Sequence, residues 1–476
     1  MRGLGSGVDS LCINFVELGC LLSIVGLGSL TGSEDDFLCV FLFFLLFLCS
    51  SITADGPTGL KVRITNKATE FLKDFGLKFL KMLVKKPFED FQLLTCHIKS
   101  LTLTHLDVDQ DNVVVRFQPG SGLQFEFRDL NITAEIERGT NRCFFNIFQG
   151  TAVVTGQNVG VTIGVRLIQT GGRLSLEIPS GDDYCKTRAD RIRVDNLGFV
   201  VNTALTAALR FAFTSQFCPA IRNLVPNVNT MLAGVAMTRT LSKDHKINLD
   251  YSLSGNVTVT SNSLDVPFTG VVYYGDTRPA LPAAGVVPVF TDKDSNRMAY
   301  VGVSEDLFKS AGQALYDHGP FELTVPQINL IVNALLKKLG LPKGPVEVQL
   351  TGVPVIKINK DGVSVSVKAS AQSKTKPLPP PLAMECQFGI KVDLNGRRLI
   401  LQSLSLSKCK AKPGTIKGKF VAGLVEGIIK WIPSIIKILF KKEVQIPLPD
   451  GLDLTQTKID YHPGYFVVGG SLTLPG

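Results

Sequence analysis

The sequence predicts an α+β protein made of two similar halves in tandem, and three observations lead there. Runs of alternating apolar and polar residues fill 97–180, 246–274 and 346–406, the pattern of half-buried antiparallel strands. Apolar-striped helical stretches flank those runs at 59–86 and 198–233, and again at 304–318 and 417–443. The order helix, strands, helix thus occurs twice, from Asn66 to Gly198 and from Ser304 to Gly418. The duplication rests on element order, since no residue-level identity strong enough to prove a repeat accompanies it.

The elements follow in order. Leu60, Val62 and Ile64 alternate as a strand, and Thr65 or Asn66 can cap the helix behind it. Phe71, Phe75, Phe79 and Met82 form one stripe of that helix, with Asp74, Lys78, Lys81 and Lys85 opposite. The strands that follow are divided by turn groups such as Pro119-Gly120 and Gly171-Gly172. In 198–217 the period becomes helical, with Leu205, Leu209, Phe213 and Phe217 on one side and a narrow polar stripe beside them. Pro219 is expected to break or kink this helix, with a second piece running to about Ala233. Strands return at 246–260 and 264–274, and residues 275–285 are turn-rich. The chain restarts at 297: a strand to Val303, a cap at Ser304, and a helix carrying Leu307, Phe308, Ala311, Ala314 and Leu315 that Gly319-Pro320 stops. Further strands follow, with a hairpin signal at Asn395-Gly396. Residues 417–443 are a nearly apolar helix with one lysine-rich stripe, kinked at Pro433, and 464–474 close the chain as a strand.

A chain of 476 residues exceeds one ordinary core, so two domains are expected. Apolar content of 45% against 19% charged excludes a disordered protein. The net charge of +9 permits an anionic partner without requiring one. No zinc-finger spacing, basic heptad region or RNP motif is present, so no nucleic-acid partner is expected.

Residues 1–54 read as a leader. The apolar run 37–48 has the length of a signal-peptide core and is shorter than the roughly 20 residues a spanning helix needs. Thr53 and Ala54 suit cleavage, which makes 37–54 the expected signal peptide. Glu34, Asp35 and Asp36 precede the run where positive charge is preferred, so 1–36 read as an extension outside the functional protein; a retained N-terminal anchor is the other reading. Secretion suits the six later cysteines, Cys96, Cys143, Cys185, Cys218, Cys386 and Cys409, an even number that permits disulfides. It also gives meaning to the glycosylation sequons at Asn131 and Asn256.

Catalytic motifs are missing. There is no G-x-S-x-G, H-E-x-x-H, Walker loop or C-x-x-C, and none of the five histidines lies near another at ligand spacing. Neither an enzyme, a metal site nor a cofactor is expected.

Several segments resemble the family of bactericidal/permeability-increasing protein, lipopolysaccharide-binding protein and the plasma lipid-transfer proteins. They are Gly59–Lys67, Leu249–Leu253, Arg297–Phe308 with Ala311-Gly312, Pro447-Leu-Pro449 and Phe466–Gly470. Each is weak alone, and their order and spacing carry the resemblance. It implies two pseudo-symmetric antiparallel β-barrels, each wrapped on long amphipathic helices and joined by a central β-sheet in an elongated boomerang. The implied division is a barrel at 55–245, a connector at 246–262 and a second barrel at 263–476 that also contributes to the central sheet. Cys185 and Cys218 match the places of the family's one disulfide; Cys386 and Cys409, flanking Asn395-Gly396, can also pair.

The resemblance further implies one apolar lipid pocket per barrel. Each buried CH₂ contributes about 0.8 kcal/mol, so acyl chains are held without catalytic groups. The expected lining in the first barrel is Val62, Ile64, Phe71, Phe75 and Phe79 facing Leu205, Leu209 and Phe213. In the second it is Leu307, Phe308, Leu315, Leu424, Ile428, Ile435 and Leu439. Lys85, Lys86, Arg138, Arg142 and Arg173 occupy the loops where lipopolysaccharide-binding members carry headgroup contacts. Acidic neighbours accompany them, and the charge of +5 for 55–250 against +8 for 251–476 does not favour the first barrel. Lys408, Lys410, Lys412, Lys417 and Lys419 can meet an anionic membrane surface. The expected function is that of a secreted, monomeric phospholipid-binding or lipid-transfer protein. The alternatives are an innate-immune binder of lipopolysaccharide and, from another class, a secreted hydrolase or membrane-tethered interaction protein.

Overall fold

Among the described residues most of the backbone is strand, and three α-helices connect or cover the sheets. The structure is a computed structural model that describes residues 58–84, 91–93, 96–120, 122–138, 151–194, 199–242, 246–276, 278, 285–291, 293–323, 346–373, 381–396, 398–412 and 453–473. The leader, Lys85, Lys86, Arg142, Cys143 and the whole of 417–443, with Leu424, Ile428, Ile435 and Leu439, lie outside the described residues.

β1 (Leu60–Thr65) enters α1 (Thr69–Lys81) through a short 3-10 turn at Asn66–Ala68. The Thr65 side chain accepts a hydrogen bond from the Lys67 backbone and so caps that turn. The first sheet uses β2 (Phe91–Leu93), β3 (Cys96–Asp107), β4 (Val113–Gln118), β5 (Gly122–Arg138), β6 (Thr151–Thr170), β7 (Arg173–Glu177) and β8 (Cys185–Val194). Its order is β2-β3-β5-β6-β7, with β4 on β5 and β8 on β6, and every pairing is antiparallel. α2 (Phe199–Ala233) follows and runs beside β7 and β8 at one side of this sheet and β2 at the other. A sheet whose two edges meet one helix is curled.

α2 differs from its sequence reading. It continues through Pro219 and Pro226 as one helix of 35 residues. Each proline removes only its own N–H bond, while Leu209, Phe213, Phe217, Ile221, Leu224 and Val228 are buried along both sides of Pro219. Burial of one continuous apolar face holds the helix together where propensity would break it.

β9 (Thr238–Ser242), β10 (Ile247–Asp250) and β13 (Val271–Tyr274) form a small sheet in the order β13-β10-β9. The run 246–260 is therefore not one strand: β10 ends at Asp250, and only β11 (Thr258–Val259) follows before β12 (Ser263–Phe268). β14 (Ala299–Ser304) leads into α3 (Glu305–His318), capped by Ser304 and ended at Gly319 as read from the sequence. The second large sheet contains β15 (Phe321–Leu323), β16 (Val346–Leu350), β17 (Val355–Asn359), β18 (Gly362–Ser373), β19 (Leu382–Asn395) and β20 (Arg398–Lys412), in the order β15-β16-β18-β19-β20 with β17 on β18. Strand for strand this repeats β2-β3-β5-β6 with β4 on β5, and β20 answers β8. β21 (Asp453–His462) and β22 (Tyr465–Thr473) complete a central sheet in the order β11-β12-β1-β14-β22-β21.

Two main cores result. One lies between the first sheet, α1 and α2 and includes Phe79, Phe127, Leu209, Phe213 and Phe217. The other joins the central sheet to α3 and includes Val62, Val301, Leu307, Leu315 and Phe466. α1 serves both, since Phe71 packs in the central core, beside Ala68 of the preceding turn, while Phe79 and Leu80 pack in the first. Among the described residues, no helix is long and apolar enough to cross a membrane.

Candidate functional site

Among the described residues, the seam between α2 and the curled first sheet is lined only by apolar side chains. Leu209 and Phe213 come from the helix, Leu101 from β3, Ile132 and Ala134 from β5, Val154 from β6 and Ile192 from β8. These are the inward positions of alternating strands and one stripe of the helix, so patterning brings them together. The remaining cavity is about 10 Å³, the space of roughly one water. A lipid-sized ligand needs about 300–1,000 Å³, so acyl chains enter only if the seam widens.

Several features define how the seam is held. The Cys185–Cys218 disulfide ties β8 to α2 with Cα atoms 5.8 Å apart, and the Thr187 hydroxyl lies 3.6 Å from Cys218 Sγ. Phe213 and Phe217 rings stand 5.0 Å apart just before it. Gly76 lets α1 approach the sheet, because a Cβ there would lie 2.5 Å from the buried Phe125 ring. Farther along α2, Asn229 exchanges two hydrogen bonds with the Leu176 backbone, at 2.8 and 2.9 Å, and satisfies that stretch of β7.

The expected lining residues separate. Leu209 and Phe213 meet in the seam, and Phe79 belongs to the same core. Ile64 packs between both cores. Val62 and Phe71 pack in the central core and not opposite Leu209, because β1 is an inner strand of the central sheet. Leu307, Phe308 and Leu315 are there too, with the Phe308 ring 6.1 Å from Phe466. The reason is that α3 lies on β13 and β17. For Phe75 and Leu205 only the backbone, on α1 and α2, is described. The strand residues Leu101, Ile132, Ala134, Val154 and Ile192 were absent from the sequence reading, although alternation in β3 and β5 carries their signal.

The basic residues are dispersed. Arg138 ends β5, and its side chain lies outside the described residues. Arg173 opens β7 and donates to the Val235 carbonyl. Four other cations on the first sheet have carboxylate partners: Arg116 and Arg128 on Glu126 at 2.6 and 2.8 Å, Arg166 on Glu177 at 3.3 Å, and Arg188 on Asp190 at 3.3 Å. Hydrogen bonds from Arg128 and Arg116 hold the Glu126 carboxyl below the usual carboxylate range. Asn131, on β5, and Asn256, before β11, are exposed. Cys386 and Cys409 stand directly opposite in β19 and β20 and form a second disulfide. Among the described residues, no group of three or more His, Cys, Asp or Glu could hold a metal ion.

Comparison with known proteins agrees with this architecture. Residues 241–474 match the model of the LBP / BPI / CETP family, C-terminal domain. The phospholipid transfer protein of Homo sapiens is 23% identical over 477 residues, covering 90% of this chain and 93% of that protein. The lipopolysaccharide-binding protein of Bos taurus is 23% identical over 424 residues, covering 81% of this chain and 86% of its own. A crystal structure of lipopolysaccharide binding protein shares the fold with a TM-score of 0.52 and 17% identity, over 88% of this chain and 99% of that one. With the sheet order, the disulfide across α2 and the apolar seam in place, residues 241–474 carry the C-terminal domain of the LBP / BPI / CETP family, and the chain beyond them is similar to relatives named phospholipid transfer protein and lipopolysaccharide-binding protein.

Proposed function

We propose that this protein carries phospholipid, with acyl chains held between α2 and the first sheet. The observation that supports this reading most is the wholly apolar seam at Leu209 and Phe213. No polar side chain among the described lining residues would need compensation as a chain enters, and each methylene transferred from water contributes about 0.8 kcal/mol. The seam widens by outward movement of the α2 segment before Cys218, since the disulfide fixes the helix to β8 at that point. Carriage, not catalysis, is the proposed activity, and it needs no cofactor. The proposed site of work is extracellular and the proposed state a monomer, with glycans at the exposed Asn131 and Asn256.

A second pocket is proposed beside the second large sheet, where Val348, Ala369, Met384 and Phe388 form an apolar cluster. Leu424, Ile428, Ile435 and Leu439, which lie outside the described residues, are proposed to contact lipid there. Phospholipid is preferred over lipopolysaccharide because Arg116, Arg128, Arg166 and Arg188 on the first sheet are already matched by carboxylates.

The test is to express the full chain in a secreting eukaryotic host, purify it from the medium and measure native mass before and after organic extraction. Discrete losses of phospholipid mass are expected. A secreted, folded protein of bare polypeptide-plus-glycan mass that takes up no phospholipid from vesicles would contradict the proposal.

A further inference from the structure

A second cavity, of about 530 Å³, has the opposite character. It lies where the β6–β7 turn meets the segment between β10 and β11. Gly171 and Gly172 form that turn with φ of +57° and +75°, and the Leu253 N–H donates to the Gly172 carbonyl at 2.8 Å. A side chain at Gly172 would press on Ser252, 3.1 Å from a Cβ built there. Backbone bonds from Tyr251 to Met237 (2.9 Å) and from Thr269 to Ser252 (2.8 Å) fix the other walls. The cleft is therefore built from three elements.

We propose that this cleft binds a phosphate group. Arg173 and Arg278 both line it, against one carboxylate, Asp250. Both oxygens of Asp250 are already bonded. It is 3% exposed, one oxygen accepts from the Ser252 N–H at 2.8 Å, and the other meets Arg278 at 2.6 Å. The Arg278 contact and the Arg173 bond to Val235 each leave further guanidinium donors. Forked guanidinium donors suit a phosphate oxyanion; at the same wall the Thr269 hydroxyl donates to the Ser252 carbonyl at 2.8 Å, so the Ser252 hydroxyl, 3.1 Å from it, is the one that can turn its proton to an anion. The cleft shares no lining residue with the apolar seam, and its lining is mainly polar, so it is not an acyl slot. The phosphate is either the diester of a lipid headgroup or a free anion. This inference does not require the carrier reading.

Calorimetric titration of the intact protein with inorganic phosphate and with glycerophosphocholine, at ionic strength fixed with chloride, decides it. Neither probe has an acyl chain. Saturable binding of at least one is expected, weakened tenfold or more by Arg173→Gln. The double substitution Asp250→Asn with Arg278→Gln should weaken it as much without leaving a buried charge unpaired. Binding of glycerophosphocholine without phosphate assigns a headgroup diester, and phosphate binding of equal or greater strength assigns the free anion. Absence of saturable binding by both probes, or undiminished binding in folded Arg173→Gln protein, overturns the proposal; the exposed-turn position of Arg173 keeps the test open if the double variant does not fold.

Discussion

Val62 stands directly opposite Val301 in the central sheet, and each precedes its own capping residue, Thr65 or Ser304, by three positions. The restart of the chain is thus paired with its beginning. Val266 flanks Val62 and Val468 flanks Val301, so four valines cross the sheet in one row. Directly opposed side chains share a face and touch, and both central valines are buried, at 5% and 0% exposure. Val62→Ala and Val301→Ala should each cost about 2 kcal/mol by loss of buried methyls. The double variant should depart from additivity by about 0.5 kcal/mol or more, since contacting residues couple. Urea unfolding of the four proteins measures both quantities.

The approach of α1 to the first sheet makes Gly76 irreplaceable in size. A methyl at this position meets the Phe125 ring at 2.5 Å, and Phe125 is 4% exposed, so the ring or the helix must shift. Gly76→Ala should therefore destabilise by about 1–3 kcal/mol, the usual cost of overpacking. Helix propensity alone would predict stabilisation of about 1 kcal/mol, so the sign of the thermal shift decides which effect governs.

Removal of the Cys185–Cys218 bond frees α2 from β8 across a sequence separation of 33 residues. The double replacement by serine should lower stability by about 3–4 kcal/mol, mainly through the unfolded chain. Hydrogen exchange should also show faster opening of α2 around Leu209 and Phe213. Unchanged exchange there would mean that the disulfide does not hold the seam.

Tyr461, on β21, binds both the Val392 N–H (3.0 Å) and the Val392 carbonyl (3.2 Å), which fastens the second large sheet to the central one. Burial raises its pKa above the ordinary value of 10. A raised phenol pKa favours the neutral form in the folded state, so the unfolded chain releases its proton first. Stability from this group is full below about pH 10 and declines as pH rises toward the folded value. Tyr461→Phe should cost about 1 kcal/mol at pH 8, and the gap to wild type should shrink by pH 10.5 in denaturant titrations.

Much of the strand and turn framework was legible in the sequence because local rules and tertiary packing agree there. β14, β16 and β22, the Ser304 cap and the Asn395-Gly396 turn all carry alternation or turn chemistry that burial reinforces. The continuity of α2 through Pro219 was not legible, since it depends on what the helix is buried against. Periodicity likewise identified Leu307 and Leu315 as an apolar face but not its cover, which is the central core. In the seam, Leu209 and Phe213 announce themselves by spacing. Val153 and Val154 do not: only the register of β5 on β6 turns Val154 inward and leaves Val153 37% exposed.

The most direct test of acyl-chain carriage is photo-crosslinking with a phospholipid bearing a diazirine midway along one acyl chain. The protein, loaded from vesicles, washed and irradiated, is digested and its labelled peptides are sequenced by mass spectrometry. Label is expected on the α2 peptide containing Leu209 and Phe213 and on the strands facing it, at Ile132, Val154 or Ile192. Label confined to exposed residues such as Phe211 and Met231, with none in the seam of a folded, lipid-bound protein, would contradict the account.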